Sequence, residues 1–136
     1  MVESYQNVIG FLAQVNQAID EGRVQVNNSQ WIGKENKTLT FMAERNLKSE
    51  DLYNVIKELT PENYCATKPD INQNFKNEEI WEFGITKTFS DEEEDLYIKL
   101  KVRTLKGKYL LVMSFHPERP DRVEKKLQFP YMNYNI

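Results

Sequence analysis

Apolar residues recur at helical spacing in the first half of the chain and at strand spacing in the second. In YQNVIGFLAQVNQAIDEG, Val8, Phe11 (or Leu12), Val15 and Ile19 share a helical face, and Gly22 is a natural stop. This spacing predicts a helix over residues 5–21. The next stretch, RVQVNNSQWIGKENK, is ambiguous. Val24 and Val26 alternate as in a strand, while Asn27-Asn28-Ser29 and Gly33 signal turns. In TLTFMAERNL, Leu39, Met42, Ala43 and Leu47 fit a short helix, with Thr38 or Thr40 as its start and Asn46 as its exit, although TLTFM also fits a strand. KSEDLYNVIKELTPENY is clearer. Ser49 can cap a helix, Glu50 and Asp51 lie where the helix dipole favours acids, and Leu52, Val55, Ile56 and Leu59 form one stripe. Thr60-Pro61 ends it, because proline disfavours the helical conformation in the residue before it.

Residues 64–78, YCATKPDINQNFKNE, read as a long polar connection, the kind of loop that often carries function. The period then changes. EIWEFGITKTF sets Trp81, Phe83, Ile85 and Phe89 on related strand positions, and DEEED reads as a hairpin loop. LYIKLKVRTL alternates, with Leu96, Ile98, Leu100 and Val102 on one face and Tyr97, Lys99, Lys101 and Arg103 on the other. Gly107 supplies a turn, and YLLVMSF returns as a more deeply buried strand. The expectation is an α+β fold, with N-terminal helices packed on a C-terminal antiparallel β-meander. One domain would span residues 1–118. Residues 119–136 form a C-terminal extension that starts as a short helix after Pro120, with Phe129, Tyr131 and Tyr134 lying along the domain or a partner.

A length of 136 residues with 40% apolar content fits one domain with a real core. No stretch approaches a membrane span, the N-terminus lacks the features of a secretory peptide, and the lone Cys65 permits no internal disulfide. These features lead us to expect a cytoplasmic protein with no membrane partner. Charge changes the picture further. Residues 48–95 carry 13 acidic and 5 basic side chains, whereas residues 96–126 carry 9 basic and 3 acidic ones, within a net charge of -3. That split leaves room for a local anion-binding face, although ordinary ion pairing between segments also accounts for it.

The polar side of strand 96–103 is where phosphate chemistry fits. Lys99, Lys101 and Arg103 supply charge and donors, and Tyr97 can orient or stack a base. The only histidine, His116, ends the last strand and titrates in the range useful for proton transfer. The alternative for it is an ordinary structural or exposed strand-end residue. Nothing in the sequence supports a metal site or a cofactor, and a Cys65–His116 pair is conceivable without any spacing to recommend it.

The ordered series VIKELTPENYCATKPD, EEIWEFGI, DLYIKLKV and LLVMSFHPE resembles the MqsR family of toxins from bacterial type II toxin–antitoxin modules, which are small RelE-like ribonucleases. The resemblance covers roughly residues 8–118. It implies a RelE-like fold, mRNA cleavage without a metal, and neutralisation by an antitoxin from the same operon. It also implies that Tyr97 is the functional tyrosine of the Tyr-X-Lys strand. His116 stands at the basic position after Ser-Phe, where one member of the family carries lysine. The lysine expected after the acidic-aromatic pair falls at Ala66, with Lys68 two residues on, and the glutamine expected after the strand tryptophan is Glu82. The stretch 25–37 and the extension past residue 118 lie outside the family's pattern.

The expected function is therefore a metal-independent endoribonuclease acting on single-stranded RNA. His116, Tyr97, Lys68 and Glu82 are its candidate catalytic residues, and Lys99, Lys101 and Arg103 would hold the substrate. The alternative is a non-catalytic protein-binding inhibitor or regulator, encoded by a phage or mobile element, that uses the acid-rich segment 78–95 and the aromatic tail. An antitoxin-like regulator is a third possibility, but no DNA-binding helix pair is evident.

Overall fold

Helix α1 (Tyr5–Asp20) forms where the first apolar stripe predicts it. In the computed structural model, which describes residues 1–28, 35–70, 78–103, 109–117 and 127–133, Ser4 Oγ caps α1 by accepting the Asn7 N–H at 3.1 Å. Gly22 ends the exit turn at φ 72°, a conformation without steric cost for glycine. Phe11 and Leu12 are both buried, together with Val8, Val15 and Ala18, so the apolar stripe is wider than a single spacing template suggests.

Two short helices follow the three-residue strand β1 (Val24–Val26). Helix α2 (Lys37–Arg45) is capped by Asn36, whose side chain accepts the Leu39 N–H at 3.1 Å, and not by Thr38 or Thr40. Thr38 is buried, and its hydroxyl accepts the Phe115 N–H at 2.9 Å. Thr38 and Phe41 therefore face inward, while Ala43 lies outside. Asn46 ends α2 in the left-handed conformation, as expected. In helix α3 (Ser49–Ile56), Lys48 takes the cap position expected for Ser49. The Asp51 carboxylate accepts the Lys48 N–H at 2.7 Å. The stripe Leu52, Val55, Ile56 and Leu59 is buried.

The remaining strands are β2 (Tyr64–Pro69), β3 (Glu79–Phe89), β4 (Glu92–Arg103) and β5 (Tyr109–Pro117), in the sheet order β1-β5-β4-β3-β2. Strands β2 to β5 pair antiparallel, but β1 joins β5 in parallel, Val24 beside Leu110 and Val26 beside Val112. The sheet is thus mixed, where a purely antiparallel meander was expected.

Two further expectations change. The supposed polar connection begins as strand β2, and a register shift between Tyr64 and Ala66 buries neighbouring residues and hides the strand period. The acidic run DEEED is not a loop. Only Ser90 and Asp91 turn, both at positive φ, while Glu92 to Asp95 pair with Phe89 to Thr86. Three of the acids at that end of β4 are held, Glu92 and Glu94 by Arg45 and Asp95 by the Thr86 hydroxyl, which donates to it at 2.7 Å. The turn expected at Gly107, the helix expected after Pro120, and Ser29, Gly33 and Tyr134 lie outside the described residues.

One face of the sheet packs against the helices. Phe11 stacks on Trp81 with ring centroids 4.1 Å apart, and Leu96, Ile98, Leu100, Val112 and Phe115 are buried beneath the same layer. Each such side chain contributes about 1.5–3 kcal/mol. The result is an α+β fold with N-terminal helices and a C-terminal mixed sheet. Among the described residues, no helix is long and apolar enough to cross a membrane.

Candidate functional site

Strand alternation sends every second side chain away from the helices, and register decides which of these meet. Tyr97 pairs with His116 on one side and Gly84 on the other, Lys99 with Ser114 and Glu82, and Glu82 with Ala66. Lys68 is opposite Ile80, and Lys101 and Arg103 continue along β4. All seven sequence candidates therefore lie on a single sheet face, spread across four strands. Interaction divides them into two groups.

The first group centres on Tyr97. Its hydroxyl donates to the Glu82 carboxylate, and Lys68 Nζ lies 3.2 Å from the same carboxylate. Lys99 Nζ sits 5.5 Å from the Tyr97 ring centroid, within cation–π range. The His116 ring meets Tyr97 edge-on, with centroids 5.8 Å apart. His116 Nδ1 lies 3.0 Å from the Pro117 carbonyl oxygen. A carbonyl can only accept, so Nδ1 carries the hydrogen, and Nε2 is the basic nitrogen of the neutral ring.

Lys68 resolves the difficulty of an acid at position 82. Ala66 and Lys68 are two residues apart on β2 and share the face, so the ammonium absent at Ala66 reaches Glu82 from Lys68. Its charge lies against the Glu82 carboxylate, which is only 13% exposed, whereas Lys68 is 49% exposed.

The second group is closed. Lys101, expected to help hold substrate, is 1% exposed. Its ammonium contacts Asp70 and lies 3.1 Å from Glu78, which also stands 3.4 Å from Arg103 Nε. Arg103 donates to the Tyr109 hydroxyl at 3.3 Å. Lys101 therefore fastens the ends of the 70–78 connection to the sheet and does not present its charge to solvent.

His116 and Pro117 also line an open cleft of about 230 Å³ beside α2, with Lys37, Glu44, Arg45 and Glu94 among its other walls. The Arg45 guanidinium is held above its usual pKa, chiefly by its hydrogen bond to Glu92, so it remains a cation there. The Cys65–His116 pair does not form. Strands β3 and β4 separate their strands, a lateral distance of about 14 Å at the usual strand spacing. Among the described residues, no group of three or more His, Cys, Asp or Glu side chains could hold a metal ion.

Sequence reasoning missed three neighbours of this centre. Ser114 faces the same side as Lys99, Gly84 lies beside Tyr97, and Leu127 covers Gly84 together with Phe129, which was expected only to lie along the domain or a partner. The available signal was the isolated glycine in an otherwise bulky strand, which often marks a close approach by another segment. Comparisons of the chain with protein-family models, curated proteins and solved structures find no match.

Proposed function

We propose that this protein is a metal-independent endoribonuclease that cleaves single-stranded RNA, a divergent RelE-like enzyme related to the MqsR toxins. One observation carries the reading. Four strands bring His116, Tyr97, Glu82, Lys68 and Lys99 onto one face as a connected set of acid, base and cationic groups. RNA supplies the nucleophile. Its 2′-oxygen bonds to phosphorus as the P–O5′ bond breaks, leaving a 2′,3′-cyclic phosphate and a 5′-hydroxyl. Proton balance requires one group to take the 2′-hydroxyl proton and another to give one to O5′. His116 fills one of these positions, and the Tyr97 hydroxyl, held by Glu82, fills the other. Lys99 and Lys68 stabilise the charge that develops on the phosphorane oxygens. A cognate antitoxin is the expected protein partner.

The competing reading, a non-catalytic inhibitor or regulator, draws on the departures at Ala66 and Glu82. A time course with a long single-stranded RNA in EDTA separates the two. Wild-type protein should cleave, while Tyr97→Phe and His116→Gln should each slow cleavage about 100-fold or more, the usual scale of a lost proton-transfer group. Unchanged rates in both variants, with native circular dichroism, would remove this centre from the reaction.

A further inference from the structure

The tail lies across the proposed site, packed over a glycine of the sheet. A Cβ built on Gly84 would fall 2.8 Å from both Leu127 Cδ1 and Phe129 Cζ, and 3.0 Å from Phe129 Cε1. A side chain at Gly84 would therefore push those two tips aside. Gly84 has no positive φ, so the close approach of the tail, and not backbone conformation, is what a side chain there would disturb. Gly84 also pairs directly with Tyr97, and Glu82 is two residues away on the same strand and face. Phe129 and Leu127 thus cover the β3 side of the Tyr97–Glu82 pair.

The segment is also fastened beyond this crossing. After Phe129 the chain turns, with the Met132 N–H donating to the Phe129 carbonyl at 3.2 Å. Tyr131 packs edge-on against Tyr5, with centroids 5.4 Å apart, and stacks against the buried Tyr64 at 6.1 Å. Its hydroxyl donates to the Glu3 carbonyl. Tyr131 is therefore a firm anchor, held by aromatic contacts and a hydrogen bond. The atoms that meet Gly84 are the far ends of two flexible side chains, which can swing aside while the Tyr131 anchor holds.

We propose that residues 127–133 form an intramolecular strap, anchored by Tyr131, that limits access of RNA to Tyr97 and Glu82 until Leu127 and Phe129 lift from Gly84. This inference rests on the RNA reading of the face. A site open for only a fraction of the time binds more weakly by that fraction. Releasing the strap should therefore tighten binding with no new contact to RNA.

The test uses the full chain, with a Leu127→Ser/Phe129→Ser variant and Gly84→Ala, which pushes the two tips away from the opposite side. Both retain Tyr131. The first readout needs no RNA: the rate of Tyr97 nitration by tetranitromethane, followed by peptide mass spectrometry. The second is affinity for a 2′-O-methyl single-stranded oligonucleotide, which cannot supply the attacking hydroxyl. Nitration should rise about fivefold and affinity about tenfold, equivalent to a closing bias of about 1.4 kcal/mol. Unchanged Tyr97 nitration would overturn the strap whether or not RNA binds. Faster nitration with weaker RNA binding would also overturn it as a barrier, and would make Phe129 a stacking surface for a base. Faster nitration with no RNA binding by any form would leave the strap standing and remove the RNA reading.

Discussion

Replacing Lys101 with methionine keeps the length and apolar stem of the side chain and deletes its charge. The ammonium is 1% exposed, and its partners Asp70 and Glu78 are 9% and 18% exposed, so the substitution leaves carboxylates in a poorly solvated site. Removing one member of a buried ion pair costs about 3–5 kcal/mol, mostly because the surviving charge is left uncompensated. Glu78 keeps Arg103 at 3.4 Å, which places the expected loss at the lower end, about 3 kcal/mol. With a urea slope of about 1–3 kcal/mol per molar, the unfolding midpoint should fall by about 1–3 M. The Lys101→Met/Asp70→Asn double variant removes the stranded charge and should recover at least half of the loss. It should also keep wild-type RNA cleavage, because the Lys101 charge is buried against Asp70 and Glu78 and is not presented to solvent. A Lys101→Met midpoint equal to wild type, or a double variant no better than the single one, would refute this assignment.

Other outcomes follow from single contacts. Thr38→Val strips the acceptor from the buried Phe115 N–H and should cost about 1–3 kcal/mol in urea unfolding, with faster amide exchange at Phe115. Burial pushes the Tyr64 hydroxyl above the ordinary tyrosine pKa, with its hydrogen bonds to Thr67 and the Glu3 N–H opposing the shift in part. The folded state holds that proton more tightly, so the associated stability is full below the unfolded pKa near 10 and declines as pH rises through the folded one. Tyr64→Phe should flatten this alkaline decline in thermal melts between pH 9 and 11. Lys68→Ala should slow RNA cleavage about tenfold, a barrier change of about 1.4 kcal/mol. Ala66→Lys added to it should restore much of the rate, since both positions face Glu82; no rescue would separate Lys68 from the charge balance of the site.

The helices were legible because their apolar stripes are long and their stops are explicit, as in Val8 to Val15 followed by Gly22. Caps were less so. Asn36 and Lys48 win those positions through contacts that a residue-type preference for threonine or serine does not anticipate. Strand β2 was hidden because Tyr64, Cys65 and Thr67 are all buried around a register shift, which erases alternation. Strand β1 is three residues long, and its parallel pairing depends on β5, far along the chain. At the site, alternation alone put Tyr97, Lys99, Lys101 and Arg103 on one face. It could not distinguish Lys99 from Lys101, because the acids that enclose Lys101 lie 31 and 23 residues away. Nor could it join Glu82 to both Tyr97 and Lys68, a link that exists only once three strands are in register.

The most direct test is the chemistry of the cut ends. Purified wild-type protein and the His116→Ala variant would be incubated with one long single-stranded RNA in EDTA, and the 3′ termini of the fragments read by mass spectrometry. Wild-type fragments should end in 2′,3′-cyclic phosphate, and the folded variant should leave the RNA intact. Fragments of the same kind from both proteins at equal rates would contradict the role given to His116. Intact RNA with the wild type would contradict autonomous cleavage by this face.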